Sequence, residues 1–163
     1  MASGLRSLLL LCGICGLFGS ISCQTKKGYC PKGWTRLNDR CFIYEHDERT
    51  FADAESVCNI LGGNLASIHS VLENQVVIEI IREAAGTFED TWIGYHDTIL
   101  EGDFIWTDGS PDGFTDFDMG QPDEAVSPGD CVDIDSANEQ WHDDSCLDLN
   151  PYICAKNILV KQH

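Results

Sequence analysis

The sequence is poor in positive charge. Only 10 lysines and arginines stand against 27 aspartates and glutamates in 163 residues, which gives a formal net charge of −17. Because nucleic acids and anionic membrane surfaces are bound through positive charge, neither is an expected partner. The chain also lacks internal repeats and any Asn-X-Ser/Thr triplet, so we expect neither a repeat architecture nor N-glycosylation. Its length predicts one domain with its own core.

Long hydrophobic runs are also scarce, and the one that occurs, LLLLCGICGLFG, follows Arg6. This run is too short to span a bilayer, and the small residues Ser20 and Ser22 come after it, which is the pattern of a secretory signal peptide. We therefore predict a signal peptide at residues 1–22 and a secreted, extracellular protein without membrane insertion. Cleavage after Cys23 remains open. If Cys23 stays in the mature chain, it is available to link two copies as a disulfide-bonded homodimer.

Six further cysteines follow the apolar run: Cys30, Cys41, Cys58, Cys131, Cys146 and Cys154. An even number in an oxidising compartment predicts disulfides, although six cysteines allow 15 connectivities and spacing alone cannot choose among them. A turn-rich segment lies between Cys30 and Cys41, and the WHDD sequence lies between Cys131 and Cys146, which favours two local bridges. Those two bridges leave Cys58 to pair with Cys154.

The mature chain places its helical patterns before most of its strand patterns. Thr50 predicts the N-cap of a first helix that ends at Gly62, and Ser70 predicts the N-cap of a second helix that ends at Gly86. Aromatic and β-branched residues predict six strands: CFIYEH, TWIGYHD, DFIWTDG, CVDIDS, NEQWHD and PYICAK. This order favours an α+β domain.

The stretch from Met119 to Asp144 collects oxygen-bearing side chains in a segment with little predicted structure. It contains Gln121, Asp123, Glu124, Asp130, Asp143 and Asp144. Grouped oxygen ligands suit Ca²⁺, which takes roughly 6–8 oxygens in irregular geometry. The loop from Asp108 to Asp130 is also longer than compact domains usually keep without a binding role. Composition alone leaves a second interpretation open, a solvated acidic surface.

Several motifs in order carry a resemblance to a known family: CPKGWTRLNDRCF, TFADAESVC, GGNLASIHS, WIGY, QPD, GDCV, WHDD and YICAK. Together they resemble a C-type lectin-like domain, similar to small secreted fish lectins and type II antifreeze proteins. The resemblance implies a disulfide-stabilised fold of two helices, antiparallel sheets and a long loop region over residues 30–157. A short segment, 23–29, precedes this domain, and a tail, 158–163, follows it. The resemblance implies the same three disulfides.

The resemblance also implies a Ca²⁺ site that binds sugar. In the family, a Gln-Pro-Asp motif with a cis-proline usually accompanies galactose-type preference, which here assigns Gln121, Asp123 and Asp143 to Ca²⁺ and to carbohydrate. Two positions depart from the pattern. Gly129 stands where such lectins have a glutamate, and His142 stands at a carbohydrate-binding position that otherwise holds an asparagine. An imidazole nitrogen is a poor ligand for a hard ion.

A second, auxiliary Ca²⁺ site is implied by the same resemblance at Asp97, Glu101, Glu124 and Asp130. Four converging carboxylates would repel one another unless a cation lay among them. The other interpretation is an acidic patch that holds no ion.

Enzymatic activity is not expected. The sequence shows no Ser-His-Asp or free Cys-His arrangement, and no carboxylate is marked as a buried general acid. We interpret His69, a lone loop histidine, as structural. We expect Trp92, Trp106 and Trp141 to pack the core and not to stack on a sugar.

Two functions follow from these observations. The first is a Ca²⁺-dependent lectin whose partner is a carbohydrate or glycoprotein. The second, motivated by Gly129 and His142, is a lectin-fold protein that binds no sugar and recognises a protein partner or an ice surface.

Overall fold

The computed structural model describes residues 28–123 and 130–160. The elements of this part are β1 Gly28–Tyr29, β2 Thr35–Leu37, β3 Arg40–Arg49, α1 Phe51–Ile60, β4 Asn64–Leu65, α2 Val71–Ala85, β5 Thr91–His96, β6 Ile105–Trp106, β7 Asp130–Ile134, β8 Trp141–Ser145, β9 Asn150–Asn157 and β10 Leu159–Val160. The main sheet has the order β2-β3-β9-β5-β7-β8, with β4 added on β9 and β6 on β5. Only β5 and β9 run parallel among these pairs. The α+β prediction is confirmed.

Both helices begin at the predicted caps. The Thr50 hydroxyl accepts a hydrogen bond from the backbone N–H of Asp53 (3.4 Å), and the Ser70 hydroxyl accepts one from Glu73 (3.2 Å). These bonds satisfy N–H groups that have no partner inside the helix. The second helix ends at Gly86, whose φ of 72° suits a residue without a Cβ. Neither helix of the described residues combines the length and apolar character that a membrane crossing needs.

The core is built around three tryptophans, as predicted. Trp92, Trp106 and Trp141 are at most 2% exposed. Each buries on the order of 150–250 Å² of surface. The indole N–H of Trp141 donates to the side-chain oxygen of Asn74 (3.0 Å), and that of Trp92 donates to the carbonyl of Arg49 (3.0 Å). These bonds fix the two rings between the helices and the sheet.

All three predicted disulfides form. Cys30 bonds Cys41, Cys58 bonds Cys154, and Cys131 bonds Cys146. The second bridge joins α1 to β9, and the third joins β7 to the residue after β8. Cys23 lies outside the described residues.

Some predicted boundaries differ from the structure. The predicted strand NEQWHD begins at residue 138, but β8 begins at Trp141 because residues 135–140 form a turn. Asp135 closes this turn by donating its N–H to the carbonyl of Gln140 and accepting from Glu139 N–H (2.9 Å each). The predicted strand DFIWTDG is shortened to two residues. At the ends of the domain, Gly28–Tyr29 pairs with Leu159–Val160, so the flanking segments meet in a second small sheet.

Candidate functional site

The long loop returns to the edge of the main sheet before it reaches the Gln-Pro-Asp motif. Phe117 forms a parallel bridge with Trp141, and the N–H of Asp118 donates to the Trp141 carbonyl (3.1 Å). A turn follows, in which the N–H of Gln121 donates to the Asp118 carbonyl (3.0 Å). The peptide bond between Gln121 and Pro122 is cis. The motif is thereby held against β8.

The structure brings Gln121, Asp123 and Asp143 together. The backbone N–H of Asp123 donates to Oδ1 of Asp143 (3.0 Å), and the backbone N–H of Asp143 donates to Oε1 of Gln121 (3.5 Å). Asp143 is 6% exposed, whereas Asp123 is open to solvent. The arrangement brings together one residue with an amide side chain and two with carboxylate side chains, and oxygen ligands of these kinds are what hard cations prefer.

His142 does not join this group. Its Nε2 lies 3.4 Å from Oδ2 of Asp118, and its Nδ1 lies 3.9 Å from Oδ2 of Asp135. Asn138 also contacts the ring, at 3.4 Å. Successive side chains alternate between the faces of a strand, so His142 and Asp143 point in opposite directions. Sequence reasoning missed these three neighbours of the ring, which come from the long loop and the turn before β8.

The auxiliary residues are only partly described. Asp97 is 2% exposed, and its Oδ2 accepts from the N–H of Gly102 (2.7 Å), which closes the turn that contains the exposed Glu101. Oδ1 of Asp97 is buried and has no hydrogen-bond partner among the described residues. A buried carboxylate oxygen in this state is costly, and a cation would satisfy it. Glu124 and the side chain of Asp130 lie outside the described residues.

The described residues contain no compact cluster of acidic, histidine or cysteine side chains of the kind that holds a metal ion. Within 28–123 and 130–160, no three acidic, histidine or cysteine side chains converge closely enough to hold one metal ion. The two candidate Ca²⁺ sites are not groups of this kind. The first includes the amide of Gln121, and the second includes Glu124, which lies outside the described residues.

Comparison with known proteins decides the family. The profile of the Lectin C-type domain matches residues 47–156. The chain belongs to the C-type lectin domain family. The galactose-specific lectin nattectin of Thalassophryne nattereri is 36% identical over 129 residues, which cover 79% of this chain and 81% of nattectin.

Solved structures agree with this assignment. A calcium-independent type II antifreeze protein superimposes with a TM-score of 0.73 and 32% identity, covering 81% of this chain and 97% of that protein. The Ca²⁺-free form of a Ca²⁺-dependent type II antifreeze protein gives a TM-score of 0.72 and 31% identity, covering 78% and 100%. The family is not an enzyme family, as the sequence predicted.

Ser67, His69 and Asp108 form the grouping in the lectin domain that most resembles a catalytic triad. The Ser67 hydroxyl donates to Oδ2 of Asp108 (2.6 Å), accepts from Nη2 of Arg40 (2.8 Å) and lies 3.1 Å from Nε2 of His69. In a triad the acid orients the histidine, whereas here the carboxylate of Asp108 accepts a hydrogen bond directly from the serine hydroxyl. Ser67 is also 1% exposed. The grouping is therefore a polar junction around one buried hydroxyl, with the exposed side chains of His69 and Asp108 on its outer side.

Replacing Ser67 with alanine is expected to lower the free energy of unfolding by about 1–3 kcal/mol, because the charged side chains of Asp108 and Arg40 each lose a hydrogen bond to a buried hydroxyl. Urea denaturation measures the change. Ser110→Ala is the matched control, since the Ser110 hydroxyl also donates to Asp108 but from a more exposed position. A Ser67 variant no less stable than the control would contradict the assignment of this junction.

A third buried carboxylate, Asp133, lies on β7. It is 1% exposed, and its Oδ2 accepts from Nδ2 of Asn150 (3.1 Å). Burial raises the pKa of Asp133 well above its usual value, and the negative charges of Asp144 and Asp90 raise it further. Burial and the charge of Asp148 likewise raise the pKa of Asp144. Asp133 and Asp144 therefore lie close to other carboxylates whose negative charge repels their own ionised forms.

Replacing Asp133 with asparagine is expected to make the domain more stable at neutral pH. Since the pKa is raised on folding, the folded state binds more protons than the unfolded state, and stability falls as pH rises from the unfolded pKa through the folded pKa. Each unit by which folding raises the pKa of Asp133 lowers the free energy of unfolding at neutral pH by about 1.4 kcal/mol. Urea denaturation of both proteins between pH 4 and 8 should show the advantage of the variant growing with pH. A constant difference would show that Asp133 does not titrate in this way.

Proposed function

We propose that the protein is a secreted, Ca²⁺-dependent lectin that binds galactose-type carbohydrate, free or on glycoproteins. The observation that carries the proposal is the contact of Gln121 and Asp123 with Asp143, which brings together three residues with oxygen-bearing side chains from two distant segments. The relative nattectin is named as galactose-specific, which supports the choice of sugar. The signal-peptide pattern at residues 1–22 supports the extracellular location.

Gln121, Asp123 and Asp143 would hold the ion and face the sugar. When bound there, Ca²⁺ would be coordinated by the oxygens of two neighbouring sugar hydroxyls. The two carboxylates accept hydrogen bonds from the same hydroxyls, and the Gln121 amide can donate one as well as accept one. Because Asp143 is buried on a strand, its carboxylate keeps a fixed position, which lowers the entropic cost of binding.

The auxiliary site belongs to the same proposal. Asp97, Glu101, Glu124 and Asp130 would hold a second Ca²⁺, for which the unpartnered Oδ1 of Asp97 is the supporting observation. A cation there would stabilise the turn that Asp97 closes with Gly102.

Calcium titration of the mature protein by calorimetry, followed by chromatography on immobilised galactose, tests the proposal. We expect heat on Ca²⁺ addition, retention on the column with Ca²⁺ and release by EDTA. Immobilised mannose is the matched control and should retain less protein. Retention that EDTA leaves unchanged would exclude the ion-bridged mechanism.

A second function is supported by one observation of this structure. His142 stands where the family pattern has an amide ligand, and its ring turns to Asp118 and Asp135. The similarity to a calcium-independent antifreeze protein is consistent with a lectin fold that works without the ion. Absence of calcium heat together with thermal hysteresis of freezing would favour ice binding, and absence of both would favour a protein partner.

A disulfide-linked homodimer through Cys23 is also proposed. The six cysteines of the described residues pair within the chain, so they do not compete for Cys23. Non-reducing electrophoresis of the secreted protein should show a dimer band that a reductant removes.

A further inference from the structure

A groove of about 310 Å³ lies at the end of the sheet where β3, β7 and β9 meet their loops. Its lining includes Glu48 from the end of β3, Phe88, Glu89 and Asp90 from the segment before β5, and Leu149 and Asn150 at the start of β9. The volume is at the lower end of the range of ligand pockets.

The charge of this groove is one-sided. Glu48, Glu89 and Asp90 contribute three carboxylates, and the described lining includes no lysine or arginine. Arg49 lies nearby, since its backbone pairs with that of Asn150, but its guanidinium bonds Asp47 (3.4 Å), which does not line the groove. The negative charge of the groove is therefore not balanced by its own lining.

A buried carboxylate behind the groove adds a second observation. Asp133 does not line the groove but contacts the lining residue Asn150, whose Nδ2 donates to Oδ2 of Asp133. Oδ1 of Asp133 is buried and has no hydrogen-bond partner among the described residues. Asp133 is also close enough to Asp90 and Asp144 for their charges to raise its pKa. A positive charge in the groove would relieve this repulsion from outside.

The apolar part of the lining indicates the shape of the occupant. Phe88 is half-buried, Leu149 is 59% exposed, and both lie beside the carboxylates. Lysine and arginine side chains have this same pairing of an apolar stem and a charged end. We infer that the groove docks a basic side chain of a partner protein, with its stem on Phe88 and Leu149 and its charge facing Glu48, Glu89 and Asp90.

The groove is separate from the proposed sugar site. Asp143 is paired with Val132 across β7 and β8, whereas Asp133 is paired with His142. Because neighbouring residues of a strand point to opposite faces, the side chains of Asp133 and Asp143 lie on opposite faces of the sheet. A basic partner protein in the groove and a carbohydrate at the sugar site would not compete. An experiment that excludes one proposal therefore leaves the other intact.

The probe for the test is a fluorescein-labelled peptide of sequence Lys-Leu-Lys-Leu-Lys with blocked ends, titrated with the mature protein at 150 mM NaCl. We expect the double variant Glu89→Gln/Asp90→Asn to bind the peptide about tenfold more weakly than the native protein, the effect of losing two modest charge pairs. The matched control is Asp53→Asn/Glu83→Gln, which removes two exposed charges from the helices. It should bind like the native protein.

Two outcomes would overturn the inference. Equal weakening in both double variants would show attraction to the net charge of −17 and not to the groove. Displacement of the peptide by millimolar Ca²⁺ from native protein and from an Asp143→Asn variant alike would show an ion site in the groove. Near-ultraviolet circular dichroism of each variant confirms that the fold is kept. Native-like retention of the Glu89/Asp90 variant on immobilised galactose would separate the groove from the sugar site.

Discussion

Replacing Cys58 and Cys154 together with alanine is expected to lower the free energy of unfolding by about 4–5 kcal/mol. The bridge closes a sequence separation of 96 residues, so its removal frees a long segment of the unfolded chain. Since a domain of this size has a total stability of about 5–15 kcal/mol, the loss is a large part of it.

The position of this bridge adds a contribution from packing. Both cysteines are fully buried, in a cluster with Phe51, Trp92 and Tyr152. Cys154 lies on β9, which pairs with β3, β4 and β5 and so joins the two halves of the main sheet. The alanine variant loses the cross-link and leaves a small cavity beside that strand.

Alanine at both Cys30 and Cys41 is the matched control. That bridge closes a separation of 11 residues, and the chain-entropy relation gives it about 2 kcal/mol less stabilisation than the long bridge. Urea denaturation of the two double variants and the native protein measures the difference. Equal losses would mean that strain or packing outweighs loop closure in this domain.

Local features of the fold were predictable because their causes are local. Thr50 and Ser70 cap helices through bonds that reach three residues along the chain, so the sequence contains all that is needed to place them. The start of β8 was misplaced because Asn138 and Glu139 belong to a turn that Asp135 closes. The parallel contact of β5 with β9, which brings Trp92 beside Tyr152, depends on residues 60 positions apart and carries no local signal.

The candidate site shows the same limit. The family resemblance named Gln121, Asp123 and Asp143, and the structure brings them into contact. The resemblance identified His142 as a departure but gave no direction for its ring, because Asp118 and Asp135 reach it through the long loop and the turn.

The burial of Asp133 was not predicted at all. In the sequence it stands in an alternating strand, CVDID, where an aspartate suggests an exposed face. In the structure Asp133 is 1% exposed and accepts a hydrogen bond from Asn150, which comes from a distant part of the sequence. A charge in an alternating pattern identifies a face of the strand, but only the tertiary contacts decide whether that face meets solvent.

Replacing Asp143 with asparagine is expected to weaken Ca²⁺ binding by about 10–100-fold and to remove Ca²⁺-dependent retention on immobilised galactose. The proposed function predicts this because Ca²⁺ prefers charged carboxylate ligands, and the change replaces one of them with a neutral amide. The expected weakening corresponds to roughly 1.4–2.7 kcal/mol. Asparagine keeps an oxygen that can accept from the N–H of Asp123, so the change removes the charge and preserves the contact.

Asp133→Asn is the matched control for this change. Asp133 and Asp143 are both buried aspartates on paired strands, but they point to opposite faces, and only Asp143 contacts the Gln-Pro-Asp motif. The Asp133→Asn variant should therefore bind Ca²⁺ with native-like affinity. The Asp143→Asn variant should lose its retention on immobilised galactose. Calorimetric titration and column retention of the two variants measure both effects. Native-like retention by the Asp143 variant would rule out Asp143 as a ligand of the sugar-binding ion. No retention of the native protein itself would favour the ice-binding or protein-binding alternative.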